Sequence, residues 1–182
     1  MKKIILLSGK AQAGKDSVAT ILNHYLEPSI VLHFADTLKF YAEKYFGWDG
    51  QKTGKQRDLL QWLGTDRVRK QLGWASYWAE RTCDVIEILY EKFDYFLIAD
   101  CRFPNEIEYP AQRFSRIPAI PVKVIRLNFD NGLTEEQKNH ESETALDGAY
   151  FKYIIESESG LDKLEIATLE FLERIREDFP EE

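Results

Sequence analysis

Ser8-Gly9-Lys10-Ala11-Gln12-Ala13-Gly14-Lys15-Asp16-Ser17 is the stretch on which the reading of this chain turns. The apolar run Ile4-Ile5-Leu6-Leu7 precedes it and reads as a buried strand, and helix-compatible residues from Val18 to Leu26 follow it. Gly9, four residues, then Gly14-Lys15 is the spacing of a phosphate-binding loop set between a strand and a helix. Glycines let backbone N–H groups turn inward around phosphate oxygens, and the following helix aims its positive N-terminus at the same anion. Lys15 would reach the β- and γ-phosphates as a point charge. Gly9, Lys10, Ala13, Gly14, Asp16 and Ser17 complete the candidate nucleotide site. Plain packing also places Gly-rich turns between strands and helices. At the position after the lysine, where a Ser or Thr hydroxyl would meet Mg²⁺, stands Asp16, with Ser17 one place later. Either Asp16 binds the ion, directly or through water, or it caps the helix and leaves the metal to Ser17.

Outward from the loop, residues 29–34 read as a short β-branched strand, and Asp36 can N-cap a helix running to about Phe46. A loop with Gly47, Gly50 and Gly54 follows. Helical patterning returns over 55–63, breaks near Gly64-Thr65-Asp66 and continues through Arg69. A longer helix is predicted over 75–92, with Trp78, Val85, Ile88 and Leu89 facing inward. Residues 95–99 form the third strand, and 105–114 another helix. Pro118 and Pro121 bracket a turn before a fourth strand over 122–127. Residues 128–147 are polar and irregular, a candidate mobile segment. Residues 153–155 form a fifth strand, and 161–176 close the chain as an amphipathic helix.

Strands alternating with helices imply an α/β, three-layer fold: a five-stranded, mostly parallel sheet with helices on both faces. Ligands of such sheets sit at the carboxyl ends of the strands. With 182 residues the chain is expected to form one domain over 1–182, with a helical substrate-binding insertion at about 47–92 and a lid-like segment at about 127–147.

Hydrophobic content of 44% and charged content of 30% are globular values. There is no apolar run long enough to span a membrane, and the start of the chain is too short for a signal segment. Cys83 and Cys101 suggest neither a disulfide framework nor a metal cluster, so a cytoplasmic chain is expected. A net charge of −7 argues against stable nucleic-acid binding. Yet basic residues outnumber acidic ones nine to five between Lys39 and Arg81, Lys52 among them. Such a local excess suits a small anionic ligand, and a solvated helix face would produce it too.

Several constellations carry chemistry. Asp100, ending an apolar strand, stands where an acid would lie near Mg²⁺, with capping of the next helix as the alternative. Arg102, two residues on, can bind phosphate oxygens bidentately. Asp36 can accept from a sugar hydroxyl or cap its helix, and Lys39 can pair with an acceptor phosphate. Gln61, Trp62, Arg69 and Trp74 offer an amide, rings and a guanidinium suited to a nucleobase, although large aromatics more often belong to a core. Arg126 opens the polar segment that ends in His140-Glu141-Ser142-Glu143, where His140 by itself reads as solvated. There is no Ser–His–Asp set, no Cys nucleophile setting and no zinc-like spacing. That fits phosphoryl transfer, in which catalysis is mostly positioning and electrostatics.

Taken together, Gly-x₄-Gly-Lys-Asp-Ser, Phe34-Ala35-Asp36-Thr37-Leu38-Lys39 and Leu60-Gln61-x₂-Gly64-Thr65-Asp66-x₂-Arg69 resemble the deoxynucleoside monophosphate kinases of bacteriophages. Asp100-Cys101-Arg102-Phe103-Pro104-Asn105-Glu106, the most specific string, and His140-Glu141-Ser142-Glu143 extend the likeness over about residues 10 to 145. The resemblance implies an adenylate-kinase-like P-loop fold, ATP and Mg²⁺ as cofactors, and transfer of the γ-phosphoryl group to a deoxynucleoside 5′-monophosphate in the host cytoplasm if phage-encoded. Lys15 and the loop amides would hold ATP, and Asp16, Ser17 and Asp100 would manage Mg²⁺. Lys39, Arg69 and Arg102 would grip the acceptor phosphate, with Gln61 near its base or sugar. Asp36, Trp74 and Glu106 complete the substrate side, and Arg126 would reach in from the lid. Residues 128–139 contain no arginine, whereas lids of adenylate-kinase type bring several. Either Arg126 and Lys138 suffice, or charge arrives from 55–70. The same Gly-Lys-Asp loop occurs in one type of phosphomevalonate kinase, so another small phosphorylated metabolite is the rival acceptor. A non-catalytic nucleotide-binding regulatory module is the rival class. Whether the chain forms a homodimer is left open.

Overall fold

The computed structural model describes residues 1–51 and 54–180. Lys52 and Thr53, in the predicted loop and insertion, lie outside the described residues. The strands are β1 (Lys3–Ser8), β2 (Ser29–Leu32), β3 (Tyr95–Cys101), β4 (Ala119–Arg126) and β5 (Tyr153–Ser157). They form one sheet in the order β2-β3-β1-β4-β5, and every pairing is parallel. The helices are α1 (Lys15–Tyr25), α2 (Ala35–Phe46), α3 (Gly54–Gln61), α4 (Tyr77–Ile88), α5 (Pro104–Arg113), α6 (Glu135–Asn139), α7 (Glu141–Thr144) and α8 (Leu161–Asp178).

The unbroken apolar run of β1 follows from this topology, because a parallel strand flanked by helices is buried on both faces. Ile5 and Leu7 join Leu97, Val122 and Val124 on one face, against Val18 and Leu22 of α1 and Phe171 and Ile175 of α8. Ile4 and Leu6 join Phe96 and Ile98 on the other, against Phe34, Leu38, Trp78, Ile86 and Phe151. From β1 the chain passes to β2 and β3 on one side, then crosses to β4 and β5 on the other. The carboxyl end of β1 is therefore the switch point at which such sheets open a crevice.

Several local expectations fail for identifiable reasons. No break occurs near Gly64: residues Trp62–Gln71 wind as a π-helix directly from the end of α3. Gly64 serves close approach instead. An added Cβ would stand 2.8 Å from Leu38 Cδ2, and the Gly64 carbonyl accepts from Trp78 Nε1 at 2.9 Å. In α4, Trp78 faces inward as predicted, but Val85 and Ile88 are exposed. The buried ladder is Trp78-Thr82-Ile86 with Ala79-Cys83, which follows the helical i, i+4 rows.

The Pro118–Pro121 turn is also absent, since Pro121 lies inside β4 opposite Leu6. β5 joins β4 only from Val122 on, so at Pro121 that side is still an edge and no ladder donor is missed. The segment predicted to be irregular over 128–147 contains α6 and α7. Gln137 N donates to Thr134 Oγ1 at 3.2 Å and Ser142 N to His140 Nδ1 at 3.2 Å, so each short helix has a side-chain cap. His140 is thus a capping residue rather than a solvated one. Leu133, Glu143 and Leu146 tuck this segment onto the body. The box Thr134-x-x-Gln137 was the readable signal for α6. No described helix is long and apolar enough to cross a membrane.

Candidate active site

The loop between β1 and α1 is shaped by backbone that side chains resist. Gly9 has φ of +152°, and a Cβ there would lie 2.4 Å from the Val124 carbonyl oxygen, so only glycine lets the loop leave the sheet this close to β4. Gly14, with φ of +102°, opens α1. Lys15 folds back into the loop, its ammonium donating to the Gly9 carbonyl at 2.7 Å and to the Lys10 carbonyl at 2.8 Å. Only 7% of the residue is exposed. Burial, and next the charge of Arg102, bring its pKa down to about 8 against the pull of Glu143, Asp100 and Asp16. A cation thus sits at the focus of the loop, within reach of three carboxylates and one guanidinium.

Asp100 does not cap the helix that follows it. Its two oxygens accept from Phe34 N at 2.7 Å and Ala35 N at 3.0 Å, tying the end of β3 to the start of α2. A carboxylate has lone pairs to spare after two such bonds. The start of α2 also carries a set that sequence reasoning missed. The His33 ring spans two acids, Nε2 lying 3.1 Å from Asp16 Oδ1 and Nδ1 3.5 Å from Asp36 Oδ1. Hydrogen bonding to Asp16, then to Asp36, lifts the His33 pKa to about 9. Burial pushes Asp36 up, but the bonds from His33 outweigh it and hold the carboxyl below its usual value. Lys39 lies 3.8 Å from Asp36. Sixteen-to-thirty-three proximity is a tertiary fact, and nothing local in the sequence announces it.

Behind this edge stands a buried brace. Arg69 pairs with Glu106, donates to Asn105 Oδ1 at 3.3 Å, also bonds the Ala75 carbonyl and lies over the Phe103 ring. Glu106 in turn accepts from Arg102 N at 2.6 Å and Phe103 N at 3.0 Å. Burial pushes Glu106 above the usual carboxylate range, against the opposing pull of Arg69. Trp62 and Trp74, expected in a core, are exposed. Trp62 meets Phe46 edge-on, and Trp74 stacks on Tyr77 with centroids 5.5 Å apart.

Glu143, not among the predicted site residues, links the segment over 127–147 to the loop. It accepts from the Ala11 amide at 2.9 Å and pairs with Arg102, which also donates to the Ser142 carbonyl at 3.1 Å. Lys10 donates to the Glu143 carbonyl at 2.6 Å and pairs with Asp147. Beneath these contacts lies a cavity of about 560 Å³. Its lining includes Gly9, Lys10, Ala13, Arg102 and Arg126 from the predicted set, together with Lys123, Phe129, Lys138 and the acids Asp130, Glu143 and Asp147. Arg126 lies 3.9 Å over the Phe129 ring and donates to Ser159 Oγ at 3.1 Å. Five cations against three acids make the cavity locally basic in an acidic chain. Asp36, Lys39, Gln61, Arg69, Trp74, Asp100 and Glu106 lie outside this lining.

Among the described residues no three His, Cys, Asp or Glu side chains are grouped to hold a metal. Mg²⁺ asks for less, since it keeps several waters and takes one or two carboxylates plus phosphate oxygens. The oxygen donors at hand suit it: the exposed Asp16 carboxylate, the Ser17 hydroxyl beside it, and Asp100 with unused lone pairs.

No family model matches the chain, and no curated protein matches it. Solved structures do. The chain is similar to thymidylate kinase from Candida albicans, at 13% identity and a TM-score of 0.55, over 97% of this chain and 92% of that one. It is similar to shikimate kinase from Bacteroides thetaiotaomicron, at 14% identity and a TM-score of 0.52, over 96% and 98%. A tunicamycin resistance protein from Deinococcus radiodurans matches at 14% identity and a TM-score of 0.53, over 99% and 96%. Likeness at these identities shows the fold: a three-layer α/β architecture around a five-stranded parallel sheet.

Proposed function

We propose that this chain is a Mg²⁺- and ATP-dependent kinase that transfers the γ-phosphoryl group to a deoxynucleoside 5′-monophosphate. The observation that carries the reading is the setting of Lys15: a buried cation at the centre of the loop, electrostatically coupled to Arg102, Asp100 and Asp16. A cation suited to the donor and another suited to an acceptor phosphate lie beyond the carboxyl ends of the adjacent strands β1 and β3, which supports phosphoryl transfer between two phosphorylated molecules.

In this reading the Gly9–Ser17 loop and Lys15 cradle the donor's phosphates. Lys15 leaves the carbonyls of Gly9 and Lys10 to do so, and its charge follows the transferring group. Arg102 and Lys39 orient the acceptor phosphate. Arg69, buried and bonded to Glu106, Asn105 and the Ala75 carbonyl, braces Arg102 through Glu106 instead of meeting substrate itself. Gln61 and the exposed face of Trp74 are the base-recognition candidates. Arg126 with Phe129 offers a cationic, flat surface at the far end of the cavity. The acceptor phosphate is already an anionic nucleophile, so no general base is required. Asp16, Ser17 and Asp100 would hold Mg²⁺, which supplies neutralisation of charge building on the phosphoryl oxygens.

The test is ADP release from ATP and Mg²⁺ with dTMP, dGMP, dCMP or dAMP added separately. Turnover that depends on at least one of them is expected and would reveal base choice. Flat traces with all four, from protein that binds ATP, would overturn the nucleotide-kinase reading.

A further inference from the structure

The arginine-poor segment over 128–139 leaves open where cationic charge around the reacting phosphates comes from. Its own lysine, Lys138, is engaged with Glu135 at 3.2 Å and Asp130 at 3.6 Å. Among the other cations lining the cavity, Lys10 and Arg102 are each held by a carboxylate, and Arg126 is directed at Ser159 and Phe129.

Lys123 is different. It sits on β4, an interior strand, at the register position of Ser8, immediately before the phosphate-binding loop. The strand's even positions, Ile120, Val122 and Val124, are buried under α1 and α8. Lys123 therefore points to the opposite face, the side of Phe151 and Leu146, where it lines the cavity. Its ammonium has no hydrogen-bond or ion-pair partner among the described residues, only the Phe151 ring with the centroid at 5.6 Å. A half-buried lysine on an interior strand is unusual, since strands favour β-branched and aromatic residues. Here no charged partner stands among the described residues, and the space above is a cavity of about 560 Å³.

We propose that Lys123 is a substrate-binding residue whose ammonium meets a phosphate oxyanion of the bound ligand, taking from the floor of the cavity the role that lid arginines would have from above. The proposal rests on the kinase reading for its choice of ligands but not for its geometry. The phosphate belongs to the donor triphosphate or to the acceptor monophosphate, and binding experiments separate the two.

The experiment compares wild type, Lys123→Met and Lys123→Arg by calorimetric titration with ATP, dTMP and pyrophosphate. Met keeps the unbranched stem over Phe151 and removes the charge; Arg keeps the charge. Thermal unfolding of each variant checks that it folds, with Lys123→Gln as the substitute if the Met variant does not. Loss of one charge-assisted phosphate contact should weaken binding about tenfold or more in the Met variant. Arg should retain most of the affinity. A loss confined to ATP assigns the donor, and one confined to dTMP assigns the acceptor. Dissociation constants within about twofold of wild type for all three probes, or no binding of any of them to wild type, would overturn the proposal. Because pyrophosphate and ATP binding need no turnover, failure of the kinase reading alone would leave these arms informative.

Discussion

Glu143 holds Arg102 from a different part of the chain, and its second oxygen takes the Ala11 N–H at 2.9 Å. One carboxylate, with 2% of its side chain exposed, thereby joins the end of β3, the loop between β1 and α1 and the segment before β5. Removing it should leave both donors without their acceptor. Glu143→Ala should cost about 2–3 kcal/mol of stability, the scale of a hydrogen bond to a charged group lost from a buried site. Urea unfolding reads this. A variant as stable as wild type would mean that Arg102 and Ala11 N find other partners, and the joint would be dispensable.

Among the described residues Lys15 hydrogen-bonds only loop carbonyls, so its loss should harm chemistry more than folding. Lys15→Ala is expected to lower turnover by about a hundredfold or more, as removal of a charge contact to a transferring group does. Near-wild-type turnover would reject the loop as the phosphoryl-transfer site.

At Gly9 the steric case is direct, with a Cβ placed 2.4 Å from the Val124 carbonyl oxygen at a φ of +152°. Gly9→Ala should destabilise by roughly 1–3 kcal/mol, the range for forcing extra volume into a packed site, and should also lower affinity for ATP. Unchanged melting and unchanged ATP affinity together would show that the loop can leave β4.

Trp74 is exposed and stacked on Tyr77, so Trp74→Ala should change stability by no more than about 0.5 kcal/mol. If its free face receives the acceptor base, KM for the accepted monophosphate should rise while KM for ATP stays. Equal KM values in variant and wild type would remove Trp74 from the substrate site.

His33 links stability to pH in the metal- and ligand-free protein. Its pKa is raised to about 9 from 6.5 by Asp16 and Asp36. A raised folded-state value means the protonated form favours the native state. That contribution is complete below the unfolded value and is lost as pH rises through about 9. The difference in urea midpoint between wild type and His33→Gln should therefore shrink as pH rises from 6.5 past 9. A difference independent of pH would show that the ring holds the two acids without its charge.

Much of the framework was readable from local pattern. The apolar run before Gly9, the Gly-x₄-Gly-Lys spacing and the alternation of strands with helices lead to a parallel sheet with a glycine-bent loop after its central strand. Each of these signals is carried by residues close together in the chain and rests on backbone sterics and side-chain period, which act locally. Other readings failed where a distant neighbour outweighed a local preference. Gly64 looked like a break but fits against Leu38 and Trp78, and Pro121 looked like a turn but occupies a stretch of β4 that β5 has not yet reached.

What the sequence by itself determined is the fold class and the loop, because both follow from periodicities and glycine conformations that neighbouring residues enforce. Only the tertiary structure decided which charges meet. It set His33 between Asp16 and Asp36, turned Arg69 inward onto Glu106, brought Glu143 to Ala11 and Arg102, and left Lys123 at a cavity with no ion-pair partner among the described residues. Electrostatic partners are chosen by distance in space, and parallel crossovers bring together residues as distant in sequence as Ala11 and Glu143, so spacing along the chain does not pair them.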